Sequence, residues 1–211
     1  MPPRPSLHRE RAAWADEALL VGVDEAGRGP LAGPVVAAAV VFPAGCRAVR
    51  GLRDSKMLPA RIRLVLAEQI RARALGFGVG AASSHEIDRL NIRVATALAM
   101  RRAIAALVRR PPLADRAYRI LIDGLPLPEV GYPHDALVDG DARCQSIAAA
   151  AILAKTVRDR LMGRLATRHP GYGWETNMGY GTDEHQVALK AHGPSCHHRL
   201  TFAPLAQLTL F

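Results

Sequence analysis

The sequence predicts an α/β domain with a central mixed β-sheet flanked by helices and a helical C-terminal region. Three observations carry that prediction. Short apolar runs rich in Val, Ile and Ala alternate with longer stretches whose apolar residues recur at helical spacing. Gly, Pro and Asp punctuate the boundaries between them. Strands and helices are interleaved along the chain, which favours one mixed sheet over segregated layers. The 211 residues suffice for one domain with a substantial core, and they contain neither an internal repeat nor a low-complexity linker.

Taken in order, residues 1–18 begin Met1-Pro2-Pro3-Arg4-Pro5, lack the apolar core of a signal peptide, and are expected to form a flexible leader. The folded domain is expected over 19–204 and a tail over 205–211. Leu19 to Asp24 and Gly33 to Phe42 read as a hairpin-like pair of strands around a Gly-rich turn. Leu52 to Leu58 is polar and loop-like. Pro59 opens a helix to about Leu75, with Ile62, Val65, Leu66 and Ile70 as its apolar stripe. Gly76 to Ser83 is a third strand. Ser84 caps a short helix, and Asn91 begins a longer one that ends near Arg109, before Pro111-Pro112. Tyr118 to Ile122 is a strand that stops at Asp123-Gly124, and Ala136 to Val138 is a shorter run ending near Asp141. An Ala-rich helix extends from Cys144 to about His169. Beyond Pro170 come Gly-rich loop, a helix near Asp183 to Ala191, and the tail.

The formal net charge is +9. Such a surplus implies a polyanionic partner, nucleic acid before anionic membrane. No segment approaches the apolar run that a membrane span needs. Cys46, Cys144 and Cys196 are few and widely spaced. They argue against a disulfide framework and for a reducing, cytoplasmic setting.

The densest chemical signal is Asp24-Glu25, where an apolar run ends in two adjacent carboxylates followed by Gly27-Arg28-Gly29. Unpaired charge beside a core is costly, and a bound cation is the commonest compensation. Asp123 also sits where an apolar run stops. Asp141 follows a weaker run, although Asp139-Gly140-Asp141 equally suits a turn. Carboxylates gathered at strand ends suit hard cations such as Mg²⁺ or Mn²⁺ rather than zinc. Because side chains alternate along a strand, Asp24 and Glu25 are expected to share one site only if the chain bends, which Gly27 permits.

The chain resembles the bacterial ribonuclease HII family, the type 2 ribonucleases H. The resemblance rests on Gly22-Val23-Asp24-Glu25-Ala26-Gly27-Arg28-Gly29-Pro30, Asp54-Ser55-Lys56, Glu86-Ile87-Asp88-Arg89-Leu90-Asn91-Ile92, Leu121-Ile122-Asp123-Gly124 and Gly140-Asp141. Ile152-Leu153-Ala154-Lys155, Gly179-Tyr180-Gly181-Thr182 and His197-His198-Arg199 complete it, in the family's order, over about residues 19 to 204. It implies a ribonuclease H-like fold. It also implies an endonuclease that hydrolyses the RNA strand of RNA–DNA hybrids and incises 5′ of single ribonucleotides embedded in duplex DNA. Two divalent cations, Mn²⁺ or Mg²⁺, would be held by Asp24, Glu25, Asp123 and Asp141, and the products would carry 3′-hydroxyl and 5′-phosphate ends.

On the same basis Gly27, Arg28 and Gly29 would sense the ribose, and Tyr180 would pack on the deoxyribose side of the junction. Lys56 would meet a phosphate as a point charge. Lys155 is expected to reach toward the acids, and Arg53, Arg143 and Arg158 to form a basic rim. Ala151 and Met178 depart from the family pattern, where serine and lysine are usual. The Met178 change removes an expected phosphate contact. His192, Cys196, His197 and His198 match no usual zinc-finger spacing and read as structural. The terminal Gln207, Leu208, Leu210 and Phe211 resemble the pentapeptide by which bacterial repair proteins dock on the DNA sliding clamp. Two other readings stand beside this one. One is a ribonuclease HIII-like hybrid nuclease, whose family form has an additional N-terminal domain. The other is a non-catalytic hybrid-binding protein, which the presence of all four acids disfavours.

Overall fold

The structure is a computed structural model that describes residues 4–109, 111, 113–203 and 205–208, apart from the side chains of Lys56, Gln207 and Leu208. Five strands form one mixed sheet in the order β3-β2-β1-β4-β5. They are β1 (Leu19–Ala26), β2 (Val35–Val41), β3 (Gly76–Ala82), β4 (Tyr118–Asp123) and β5 (Asp135–Leu137). β1, β2 and β3 are antiparallel neighbours, whereas β1, β4 and β5 run parallel. The helices are α1 (His8–Ala15), α2 (Ala60–Arg73), α3 (Ser84–Val108), α4 (Gln145–Arg168), α5 (Trp174–Asn177), α6 (Asp183–His192) and α7 (Leu205–Leu208). Among the described residues no helix is long and apolar enough to cross a membrane.

Every residue of β2 is buried, because the sheet is covered on both faces. Val35, Ala37, Ala39 and Val41 pack into the layer under α3, with Met100, Ala103 and Ile104. Ala38 and Val40 pack on the other face, against α2 and the Ala-rich N-terminal half of α4. Small residues set how closely these layers approach. A Cβ on Gly22 of β1 would collide with the main chain of Ser146 and Ile147, so α4 lies directly over the middle of β1.

Three expectations are corrected by the fold. Residues 8–15 of the expected flexible leader form α1 instead. Its Glu10 is fully buried, and Glu10 Oε1 accepts hydrogen bonds from Ser146 N (2.7 Å), Ser146 Oγ (2.8 Å) and Cys144 Sγ (3.3 Å). A carboxylate there meets unpaired amides and the positive end of α4. Gln145 Nε2 donates to the Pro5 carbonyl at 2.8 Å, which holds the preceding segment. Helix α1 is thus anchored by polar contacts more than by an apolar stripe, which is why its sequence reads as a leader.

The stripe of α2 is narrower than expected. Leu66, Ala67 and Ile70 are buried, while Ile62 and Val65 are exposed. As expected, two helices meet at Asn91, whose non-helical backbone (φ 66°, ψ 165°) kinks α3 between them. Asn91 Oδ1 caps the second part by accepting from Arg93 N (2.9 Å) and Val94 N (3.1 Å). The N-cap of the first part is Ser83 rather than Ser84, in a capping box with Glu86.

Candidate active site

Parallel pairing of β1 and β4 sets Val23 opposite Ile122. Asp24 and Asp123 are the next residues on each strand, at one end of the sheet. The alternation of side chains puts Val23 in the α3 layer and Asp24 on the α4 face. Strand β1 does not bend between Asp24 and Glu25, since its pairing with β2 continues to Ala26 opposite Val36. Glu25 instead lines a cleft of about 280 Å³ with Asp123, Arg28 and Arg93. The acids therefore surround the strand end from both faces, with Asp123 common to both sides. Asp141 lies in a 3-10 turn, Gly140–Ala142, immediately before α4. That turn is tied to β4 by the Gly140 amide, which donates to Asp123 Oδ1 at 2.7 Å.

Burial pushes the Asp24 carboxyl well above the usual carboxylate range, and the neighbouring charges of Glu25, Asp123 and Asp141 push it further. The Glu25 amide, which donates to Asp24 Oδ1 at 2.6 Å, opposes this only in part. Asp123 is raised as well, by burial first, against the hydrogen-bonding amides of Gly140, Gly124 and Asp141. A buried acid raised by three other acids is a site short of positive charge. A divalent cation supplies it, and an all-oxygen donor set suits Mg²⁺ or Mn²⁺. The residues present therefore fit such ions.

The glycine turn beyond β1 is held by two buried arginines. Gly27 has φ 97°, a conformation that favours glycine, and a Cβ there would strike the Arg158 side chain. Arg199 Nη2 donates to the Gly27 carbonyl (2.6 Å), Nη1 to Arg28 (2.8 Å), and Nε and Nη2 to Gly33 (3.0 and 2.9 Å). Arg158 donates to the carbonyls of Pro34 (3.0 Å), Met178 (3.0 Å) and Ala32 (3.1 Å). Arg158 is thus a buried brace and not part of a basic rim. Its bond to Met178, together with Leu31 N donating to the Gly179 carbonyl at 2.8 Å, fixes the Gly179-Tyr180-Gly181 turn beside the first one. Tyr180 is exposed, and its ring centroid lies 6.0 Å from the Arg158 guanidinium carbon. Arg28 is also exposed and pairs with Glu25 at 3.5 Å.

Lys155 does not turn toward the acids. It pairs with Asp159 at 2.7 Å, one helical turn away, and Asp159 also meets Arg63 at 2.8 Å. Lys56 lies in a 3-10 turn, Ser55–Met57, and its side chain is outside the described residues, as are those of Gln207 and Leu208 and the whole of Leu210 and Phe211. Ala151 is buried within α4. Met178 adopts a left-handed conformation (φ 51°), and its carbonyl rather than its side chain engages the arginine brace.

The family model described as Ribonuclease HII matches residues 21–204, from within β1 through α6. The chain belongs to the ribonuclease HII family. Its relatives include Ribonuclease HII of Sphingopyxis alaskensis, 54% identical over 192 residues, covering 91% of this chain and 92% of the relative. Ribonuclease HII of Synechococcus sp. strain JA-3-3Ab is 51% identical over 208 residues, covering 97% and 91%. Among solved structures, the PCNA:RNase HII complex from Archaeoglobus fulgidus contains a chain with TM-score 0.69 and 25% identity, covering 87% of this chain and 95% of that one. Bst-RNase HIII in complex with Mn²⁺ has TM-score 0.70 and 21% identity, covering 92% and 70%. The last likeness is one of fold alone. The ribonuclease H-like fold expected from the motifs is the one observed, and the chain is a hydrolase of the ribonuclease H class.

In this chain, the sequence did not single out Glu10 or assign a role to Arg199. Glu10 lies before the motifs, and only its burial against α4 reveals it. Arg199 stands in His197-His198-Arg199, but its partners are carbonyls distant in sequence.

The preceding histidine has a structural role consistent with the expectation. His185 Nδ1 donates to the Tyr180 carbonyl at 2.8 Å, so its Nε2 accepts from Trp174 Nε1 (3.1 Å) and His198 Nε2 (3.0 Å). His198 Nδ1 in turn accepts from Ser195 N at 2.8 Å. This chain of bonds needs both imidazoles neutral. Burial holds both below the usual histidine value, and His198, beside His185, falls to about 4. Between the ordinary value of 6.5 and about 4, the unfolded chain takes up a proton that folded His198 refuses. Its neutral form therefore favours the fold above 6.5, and that contribution is lost as pH falls toward 4. Urea unfolding is expected to show roughly 2–3 kcal/mol less stability at acid pH than near neutrality from this group. An identical acid slope in His198→Asn would refute the assignment.

Proposed function

We propose that this chain cleaves the RNA strand of RNA–DNA hybrids and also incises 5′ of single ribonucleotides in duplex DNA, leaving 3′-hydroxyl and 5′-phosphate ends. The observation that carries the reading is buried Asp24, raised by three neighbouring acids at the end of two parallel strands and adjoining the braced glycine turn. Asp24, Glu25, Asp123 and Asp141 would hold two divalent cations, Mn²⁺ or Mg²⁺. Bound there, the ions supply an activated water and neutralise charge on the leaving oxygen. The Mn²⁺ carried by the Bst-RNase HIII structure is consistent with this choice of ion.

The chain's own residues supply placement. Arg199 and Arg158 fix the Gly27-Arg28-Gly29 turn, so its main chain can meet a ribose 2′-hydroxyl without reorganising. Tyr180 offers an exposed ring beside that turn for the sugar on the far side of the junction. Arg28 adds a cation at the rim for phosphate.

The test is cleavage of two matched duplexes, one with a single ribonucleotide and one with a long RNA strand, with and without Mn²⁺ or Mg²⁺. Both are expected to be cut only with metal. Tyr180→Ala is expected to slow the single-ribonucleotide duplex by about tenfold, the value of one stacking contact of about 1–3 kcal/mol. Metal-independent cutting, or equal loss on both substrates, would count against the reading.

We further propose that Gln207, Leu208, Leu210 and Phe211 dock on the DNA sliding clamp, with the apolar side chains in a cleft. The PCNA:RNase HII complex from Archaeoglobus fulgidus supports a partner of that class. Deleting residues 207–211 is expected to abolish co-elution with the clamp while leaving cleavage of a short hybrid intact. Unchanged co-elution would overturn the assignment.

A further inference from the structure

We propose that His169, Cys196 and His197 form a zinc site separate from the carboxylate centre, clipping the end of α4 to the loop that carries Arg199. His169 caps the C-terminal end of α4. Folding returns it to Cys196-His197, and one ligand atom from each of the three residues lies within 4.8 Å of the others. The two imidazole rings meet edge to face, with centroids 4.8 Å apart. Trp174 backs both rings, at 6.0 Å from His169 and 6.4 Å from His197. Cys196 is exposed and free of any disulfide, leaving the fourth side of the site open to water.

The main chain beneath the three side chains is already fixed. The Cys196 carbonyl accepts from Ser84 Oγ at 3.3 Å, and the His197 carbonyl from Gly33 N at 2.9 Å. The His169 amide donates to the Leu165 carbonyl at 2.8 Å. Only side-chain rotation is therefore needed to close the set. Zinc bonds of about 2.0–2.3 Å place tetrahedral ligand atoms about 3.3–3.6 Å apart, so closure asks for little more than about 1 Å of movement.

The donor chemistry separates this site from the acids. Two imidazoles and a thiolate select a borderline or soft ion, whereas four carboxylates select a hard one. Three protein ligands with an open fourth position match the three-ligand pattern of zinc sites that keep a water. Arg168, next to His169 in the chain, brings a like charge that weakens the site without blocking it. The consequence is mechanical. Cys196 and His197 immediately precede His198 and Arg199, and Arg199 fixes the carbonyls of Gly27, Arg28 and Gly33. Zinc here would tie α4 to the same brace that holds the glycine turn.

Cobalt is the probe, because a thiolate ligand gives Co²⁺ a near-ultraviolet charge-transfer band that carboxylates do not. The full chain is titrated with Co²⁺ in excess Mg²⁺, which occupies the carboxylate centre, and then with Zn²⁺. One Co²⁺ per chain with a thiolate band is expected, displaced by Zn²⁺, together with a rise in the thermal unfolding midpoint on adding Zn²⁺. Cys196→Ser is expected to abolish the band, and His169→Ala to weaken binding at least about tenfold. Cys46→Ser is expected to change neither. Cys196 is exposed, so Cys196→Ser in the absence of metal should unfold like the wild type and serve as the folded control. Absence of a thiolate band, its survival in Cys196→Ser, or unchanged affinity in His169→Ala would overturn the proposal.

Discussion

Asp24→Asn is expected to reduce metal-dependent cleavage by at least about 10³-fold, a loss of about 4 kcal/mol in transition-state stabilisation. The same substitution is expected to make the metal-free protein more stable. Asp24 is buried, and Glu25, Asp123 and Asp141 disfavour its charge. An asparagine keeps the oxygen that accepts from the Glu25 amide and removes the charge. It also offers an amide N–H toward the neighbouring carboxylates. A gain of about 1–2 kcal/mol would raise the unfolding midpoint by a few degrees in a chain of this size. Mn²⁺ should stabilise the wild type markedly and the variant much less, since ligand binding to the folded state alone shifts its stability. Thermal unfolding with and without Mn²⁺, beside a cleavage assay, checks all three. Wild-type cleavage would refute a ligand role, and lost activity with lost stability would mean that Asp24 serves the fold.

Arg199→Ala is expected to cost about 3–5 kcal/mol of stability, the effect of breaking a buried charged network. Its guanidinium makes four hydrogen bonds to the carbonyls of Gly27, Arg28 and Gly33. Removing it strands three acceptors in the interior, each costing about 1–3 kcal/mol if no water reaches it. Burial already lowers the Arg199 pKa to about 9, with nearby Arg158 adding to the effect. The bonds to carbonyl oxygen are what keep the cation in place. Arg199→Lys retains the charge but loses the planar fork, so it should recover only part of the stability. Because the loosened turn is the one proposed to meet the sugar rather than the metal, KM for a hybrid should rise more than kcat falls. Urea unfolding and steady-state kinetics of both variants decide this. A stable Arg199→Ala enzyme with unchanged KM would show that the turn holds itself.

The element order was legible because β1, β2 and β4 are short, largely buried runs with a clear stop, and α4 announces itself by its alanines. Asn91 was legible as a helix start for a related reason. An asparagine side chain can cap amides two and three residues on, and it does so here. Helix α1 was not legible, because what anchors it is one carboxylate under another helix's first turn. Arg158 was misread as surface for the opposite reason. Nothing local distinguishes a solvated arginine from one whose guanidinium meets carbonyls of two other segments, at Ala32 and Pro34 and at Met178.

The sequence by itself determined the α/β class and the family and singled out the four acids proposed as the site, because these depend on local pattern and on residue types in order. Tertiary structure alone decided how those residues meet. Parallel pairing of β1 with β4 sets Asp24 beside Asp123, and the unbent strand sends Glu25 to the other face. Two buried arginines join the glycine turn to the tyrosine turn, and the end of α4 returns His169 to Cys196 and His197. Hydrogen bonds and charge coupling act over a few ångströms of space, whatever the separation along the chain, so no local pattern records them.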